Sequence, residues 1–331
     1  MGVDEFNRIS RMIHLNNVEA EIPRGREGHD PWSKVRPILD KINQKSKHHY
    51  TPSQNVSIDE SMIGMKNRCV FLQYMPNKRH ARFGVKKFQL CDTDSNGYLS
   101  HVHLYAGKDL DVLREEVQAH AVVRTLMQES QFLNKGYRLF TDNFYTKPKT
   151  AEFLFANKTA LVGTVRVNSV GMLKNVAKQK LQVGEAKFWR KYPSDMLAVT
   201  FREKKSQTKP VLAHSTCHDA GMETKTIKGK QKTKPVLIFY YNKYMGGVDL
   251  SDKKIYHYAA ERSTRRYWKK IFHNLIDIAI LNSWILFSLS TGKKLDRERF
   301  IIEVVENLCE GDDIANALPP APQPVLWNFI Q

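Results

Sequence analysis

Four aspartates are spaced as if they act together. Asp59 lies in the alternating stretch VSIDESM, Asp142 closes the run YRLFTD, and Asp249 and Asp252 follow the glycine pair of YYNKYMGGVDLSDK. A strand fixes the direction of a carboxylate, and a step of three along a helix returns to the same face. Asp249 and Asp252 therefore share a face if their segment is helical, with Gly246 and Gly247 expected to allow the tight turn that leads into it. Carboxylates held this way are donors for magnesium, which completes its octahedron with waters and phosphate oxygens. Two such ions about 3.5–4 Å apart clamp an in-line phosphoryl displacement. The plain alternative for Asp249 and Asp252 is complementation of a helix dipole, which favours acids in any first turn. The residue types alone leave both open.

The rest of the chain is basic. Its 331 residues carry 52 Lys and Arg against 34 Asp and Glu, a formal charge of +18. Such an excess points to a polyanionic partner, because phosphate neutralisation by Lys and Arg dominates nucleic-acid affinity. Cationic surface to hold DNA and a small acidic centre to hold metal are what phosphoryl chemistry on DNA requires. Cys69, Cys91, Cys217 and Cys309 form no C-x-x-C pair, which argues against a zinc module and a disulfide framework and fits a reducing compartment. MGVDEFNRIS lacks the pattern of a secretory signal, and no targeting signal is expected there. Residues 271–290 approach membrane-spanning length, but Asp277 at a bilayer centre would cost roughly 2.5–3.5 kcal/mol. A buried helix of a domain, with no membrane partner, is expected.

These residues must be positioned by a mixed set of elements. Phe6, Ile9 and Ile13, then Val35, Ile38, Leu39 and Ile42, follow helical spacing. Strand candidates follow in VSIDESM, CVFLQYM, VKKFQLCD and YLSHVHLYAG. Residues 111–132 form a helix candidate ending near Gly136, followed by the strand YRLFTDNFYT, a helix around KTAEFLFANK and the strand ALVGTVRV. From about 170 to 235 short strand-like pieces alternate with lysine-rich runs, which suggests an inserted β-rich unit. Residues from Leu250 to Cys309 look helical, and the proline-rich tail is expected to be extended.

Five segments, SIDESMIGMKNRC, YMPNKRHARFGVKKFQLCD, LFTDNFYT, LVGTVR and YYNKYMGGVDLSDK, together resemble the transposase domain of the piggyBac superfamily, in the same order and at similar spacing. The resemblance implies an α/β fold: an RNase H-like catalytic core with a β-rich insertion domain and flanking helical dimerisation and DNA-binding segments. It divides the chain into an N-terminal helical part at 1–55, core at 56–169, insertion at 170–235, a return to the core at 236–252, a C-terminal helical part at 253–310 and a tail at 311–331. It implies catalytic and metal-binding roles for Asp59, Asp142 and Asp249, with Asp252 matching a further acidic metal position. The cofactor is two Mg2+ ions, with Mn2+ able to substitute. The implied activity is DNA strand cleavage and transfer at TTAA sites, by a homodimer on double-stranded DNA at transposon ends, in the nucleus. The family commonly closes with a cysteine-rich zinc domain, but no cysteine follows Cys309, so no zinc is expected in this chain. Arg79 and Tyr267 depart from the family pattern. A domesticated or truncated, non-catalytic DNA-binding protein derived from such an element stands as the alternative.

Arg262, Arg265, Arg266, Lys269 and Lys270, interleaved with Tyr267 and Trp268, are the expected DNA-binding cluster, joined by Lys78. Arg binds phosphate bidentately while a ring stacks on a base, although a core role for Trp268 is equally compatible with its type. Lys228, Lys230, Lys232 and Lys234 alternate in what is expected to be a flexible loop. DTDSNG imitates the start of a calcium loop, but position twelve is His103 instead of Glu, so a hairpin turn is expected. His101 and His103 form a strand pair with no third ligand in view. His214, Cys217 and His218 lack a matching acid or partner.

Overall fold

The computed structural model describes residues 2–17, 19, 21–76, 78, 81–107, 118–169, 176, 179–191, 196–259 and 264–310. Helices α1 (Val3–Met12) and α2 (Arg36–His49) lead into β1 (Asn55–Gly64), β2 (Leu72–Tyr74), β3 (Phe83–Asp92) and β4 (Tyr98–Leu104). Then come α3 (Gln118–Glu129), β5 (Arg138–Thr141), α4 (Pro148–Ala156) and β6 (Ala160–Thr164). Strands β7 (Ala186–Lys191), β8 (Met196–Phe201), β9 (Val211–Ser215), β10 (Met222–Ile227) and β11 (Lys230–Pro235) follow. Four helices close the described chain: α5 (Val236–Tyr244), α6 (Gly247–His257), α7 (Tyr267–Thr291) and α8 (Arg297–Glu310). The expected helix at 111–132 is seen as α3, its first residues lying outside the described ones; Arg79, Arg262 and the tail also lie outside them.

Nine strands form one sheet in the order β2-β3-β1-β5-β6-β9-β8-β7, with β4 also on β3. β1 runs antiparallel to β3 and parallel to β5, which is parallel to β6. The segment expected as an insertion enters this sheet through β9, antiparallel to β6, and only the β10–β11 hairpin stands off it. That hairpin replaces the expected lysine loop. Lys228 and Gly229 both have positive φ (51° and 73°), the combination a two-residue hairpin turn needs. Lys234 then turns inward to Glu203 (2.7 Å).

The sheet separates two helical layers because its strands alternate. Val56 and Ile58 of β1 join Phe88, Leu90 and Leu139 in a core covered by α3 and α4. On the opposite face α2, α6 and α7 bury Leu39, Val248, Ile255, Ile271, Leu275 and Leu281, each worth about 1.5–3 kcal/mol when fully removed from water. By length and composition α7 is apolar enough to cross a membrane, yet its polar residues are what clasp the fold. Asn282 exchanges hydrogen bonds with the Leu99 backbone (2.9 and 2.8 Å) and donates to Ser46 Oγ (3.0 Å), while Asn274 Oδ1 accepts from Lys87 Nζ (3.0 Å). The expected calcium-like stretch is the β3–β4 turn, in which Asp92 accepts from Tyr50 and Ser53.

Candidate active site

Two acids meet because two strands run side by side. The parallel register Ile58↔Thr141 places the next residues, Asp59 and Asp142, next to each other where β1 continues and β5 ends. Strand alternation turns Asp59 away from the Val56–Ile58 core, toward the face carrying α5 and α6. Asp142 then caps its own turn: its Oδ1 accepts the backbone N–H groups of Phe144 (2.8 Å) and Tyr145 (3.3 Å). The two threonines of TDNFYT close the loop, Thr141 Oγ1 lying 2.7 Å from Thr146 Oγ1. Gly163 of LVGTVR makes room for it, because a Cβ there would lie 2.1 Å from Thr146 Oγ1 and 2.5 Å from Thr141 O.

Burial and crowding raise the pKa of both carboxyls. Burial, then the Glu60 carboxylate and to a smaller extent Asp142, push Asp59 up to about 7, against the backbone N–H of Glu60 and the Lys78 cation. Burial also raises Asp142, with Glu60 adding to the shift and the Phe144 and Tyr145 N–H groups and Arg166 opposing it. Glu60 faces the other side of β1, where it accepts from Tyr145 OH (2.8 Å) while its carbonyl accepts from Lys78 Nζ (2.9 Å). Repulsion between these carboxylates is what a bound cation relieves.

Asp249 and Asp252 arrive on α6. Gly247 permits this by close approach and not by an unusual turn: neither glycine of the pair has positive φ, but a Cβ on Gly247 would stand 2.6 Å from Ser57 Oγ and 2.7 Å from Thr93 Cγ2. Asp249 is exposed in the first turn. Asp252 is half-buried and accepts from Ser61 Oγ of β1 (2.8 Å). With its amide oriented to suit its neighbours, Gln89 donates to Asp252 Oδ1 (3.2 Å) and accepts from Lys87 Nζ (2.9 Å). Both aspartates line a cavity of about 620 Å³ with Ser61, Lys78, Lys87 and Asn274. The fold thus joins Asp59 to Asp142 and Asp249 to Asp252; burial raises the pKa of Asp252 as it does that of Asp59, and the Lys78 cation opposes both shifts. Among the described residues no group of three or more His, Cys, Asp or Glu is arranged to hold a metal ion.

The basic cluster divides. Arg265 and Arg266 are exposed, and Lys270 and Tyr267 half-buried, at the start of α7. Trp268 and Lys269 are interior: Trp268 joins the α2–α7 core beside His14, and Lys269 Nζ donates to Ser10 O of α1. Neither is placed to stack on a base or reach a phosphate. Lys78 stands at the acids instead of in this cluster. His101 and His103 both reach Glu129, at 2.8 and 3.4 Å. Although burial raises its pKa, these two bonds hold Glu129 down at about 2. His214 and His218 are held at about 4, chiefly by burial, which also raises Cys217. Sequence reasoning missed Glu60 and Lys87. The Asp-Glu adjacency was visible for Glu60, but no sequence signal marks a lysine as buried.

The Transposase IS4 family profile matches residues 1–284. Human PiggyBac transposable element-derived protein 3 is 25% identical over 97% of this chain and 54% of its own length. This chain belongs to the piggyBac-type transposase family. A second piggyBac relative, human PiggyBac transposable element-derived protein 2, is 24% identical over 86% of this chain and 48% of its own length. The chain thus spans about half the length of these two relatives. The solved piggyBac transposase synaptic complex with hairpin DNA superposes with a TM-score of 0.80 at 26% identity, over 96% of this chain and 68% of that one. The sheet and its two helical layers are accordingly the RNase H-like core expected from the sequence.

Proposed function

We propose that the chain is the catalytic part of a piggyBac-type DNA transposase, cutting and rejoining DNA strands at TTAA with two Mg2+ ions. The carrying observation is the Asp59–Asp142 pair, side by side where the middle of β1 meets the end of the parallel β5, with Asp59 pushed up to about 7 in a chain of net charge +18. Hard carboxylate oxygens crowded together and only partly offset by Lys78 and Arg166 fit Mg2+, which needs only one or two of them and takes its other ligands from water and phosphate. Asp59 and Asp142 would hold it, with Asp249 completing the set from the exposed first turn of α6. When bound, the ions polarise phosphate oxygens and lower the pKa of the attacking water. Asp59 must release its proton to act as a ligand, so metal uptake is coupled to proton release. Asp142 is oriented beforehand by the N–H groups of Phe144 and Tyr145. Arg265, Arg266 and Lys270 carry phosphate contacts, and nuclear localisation follows from a chromosomal substrate. A homodimer on DNA is supported by apolar side chains left exposed on α1 and α8, among them Val3, Met12, Val305 and Leu308.

A second reading has its own observation. Asp249 is exposed and no three acids form a ready metal group among the described residues, as expected of a domesticated DNA-binding remnant. A nicking assay on TTAA-containing DNA with Mg2+ or Mn2+ separates the two. Asp142→Asn is expected to abolish cleavage and leave DNA binding intact. Asp249→Asn alone is expected to cost nearly as much as the double change, since ligands acting as a unit are non-additive. Cleavage by Asp142→Asn at the parent's rate rejects the metal mechanism, and a parent that never cleaves favours the remnant.

A further inference from the structure

Lys87 is an unusual charge to find in a β-strand core: it lies mid-strand in β3 and is 1% exposed. A buried ammonium is driven toward neutrality unless its surroundings compensate it. Here they come from three elements. Nζ donates to Asn274 Oδ1 of α7 (3.0 Å) and to Gln89 Oε1 of its own strand (2.9 Å). Gln89 passes the contact on to Asp252 Oδ1 of α6 (3.2 Å), which also accepts from Ser61 of β1 (2.8 Å). The Lys87 charge also favours the ionised form of Asp252 against its burial.

Helix α6 is 11 residues long and buries Gly247, Val248, Ser251 and Ile255. Ser251 Oγ ties it to Gly97 O at the β3–β4 turn, and the Asp252 contacts hold it from the β1–β3 side. Asp252 lies one turn beyond Asp249 on the same face, so whatever fixes Asp252 also sets where the Asp249 carboxylate points. We propose that Lys87 is a positioning residue for the acidic site: with Gln89 and Asn274 it holds Asp252, and through it α6, so that Asp249 is presented to the Asp59–Asp142 pair. Asp252 serves in this arrangement as the anchor's counter-ion. The inference rests on the carboxylates being a cation site.

The test uses the full chain and Mn2+ as the probe, with free Mn2+ read by EPR and folding read by thermal melts. Asn274→Leu leaves every charge in place and is expected to weaken Mn2+ binding about 10-fold, within the range seen when partners of metal ligands are removed. Lys87→Met is expected to weaken it at least as much. On charge alone, removing a nearby cation would tighten binding, so tighter or unchanged Mn2+ affinity in Lys87→Met overturns the proposal. In the melts Lys87→Met and Asp252→Asn should each lower Tm, and the double variant should recover much of the loss, because the uncompensated charge is gone. Additive losses reject the pair. A parent that binds no Mn2+ while still melting cooperatively defeats the cation reading itself, and the melts then decide the Lys87–Asp252 coupling alone.

Discussion

At the scale of single residues the same side-chain type is driven in opposite directions by its neighbours. Asp59, buried and then crowded by acids, is pushed up to about 7, whereas Glu129 is held at about 2 despite burial because His101 and His103 share its Oε2. A carboxyl whose folded pKa is depressed adds stability that is complete above its ordinary value of 4.5 and is lost as pH falls toward 2. Glu129→Gln is therefore expected to flatten the fall of Tm between about pH 4.5 and 2. Melts of the two proteins across that window check it, and an unchanged slope would mean that Glu129 is not held down by these two bonds. The HVH pattern showed two imidazoles on one strand but not their partner, which lies 26 residues beyond His103 on α3. Only packing of α3 against β4 brings them together.

At the scale of elements, the glycine pair ahead of Asp249 illustrates how a correct motif can carry the wrong reason. The sequence suggested a tight turn, but Gly246 would meet nothing within 4 Å and Gly247 is pressed against Ser57 and Thr93. Gly247→Ala is expected to destabilise the fold by about 1–3 kcal/mol through overpacking, and Gly246→Ala to stay within about 0.5 kcal/mol. Urea unfolding with an unchanged m-value measures both, and equal costs would contradict the close approach of α6. The lysine-rich run at 228–234 was misread for a related reason. Its polarity suggested a loop, while its Lys-Gly turn and alternation are those of a hairpin exposed to solvent.

At the scale of the molecule, charge and fold act together. In the proposed DNA-binding role the exposed cations at the head of α7 carry the phosphate contacts, while Lys78 and Lys87 line the acidic cavity itself. The structure leaves Arg265 and Arg266 exposed at the head of α7 and turns Lys269 into a tie to α1. Replacing Arg265 and Arg266 with Ala should reduce the slope of log affinity against log salt by about 1–2, near 0.9 per lost phosphate contact. Titrations of duplex DNA at several salt concentrations measure it. A slope equal to the parent's would move the DNA face away from this helix.

The sequence by itself determined much of the strand and helix order, the basic character and the motif aspartates, because these depend on local periodicity, composition and short spacing; it did not show the β10–β11 hairpin or helix α5. The placement of Asp59 beside Asp142 was legible only as an expectation, since it depends on a parallel register between strands 83 residues apart in the aspartates' numbering (142 − 59). Tertiary structure alone decided that Trp268 and Lys269 face inward, that the segment after β6 extends the main sheet, and that Lys87 lies buried beneath Asp252. Those outcomes depend on which faces of distant elements meet. A residue's type states what it can bond to, and only the packed chain states what stands within 3 Å of it.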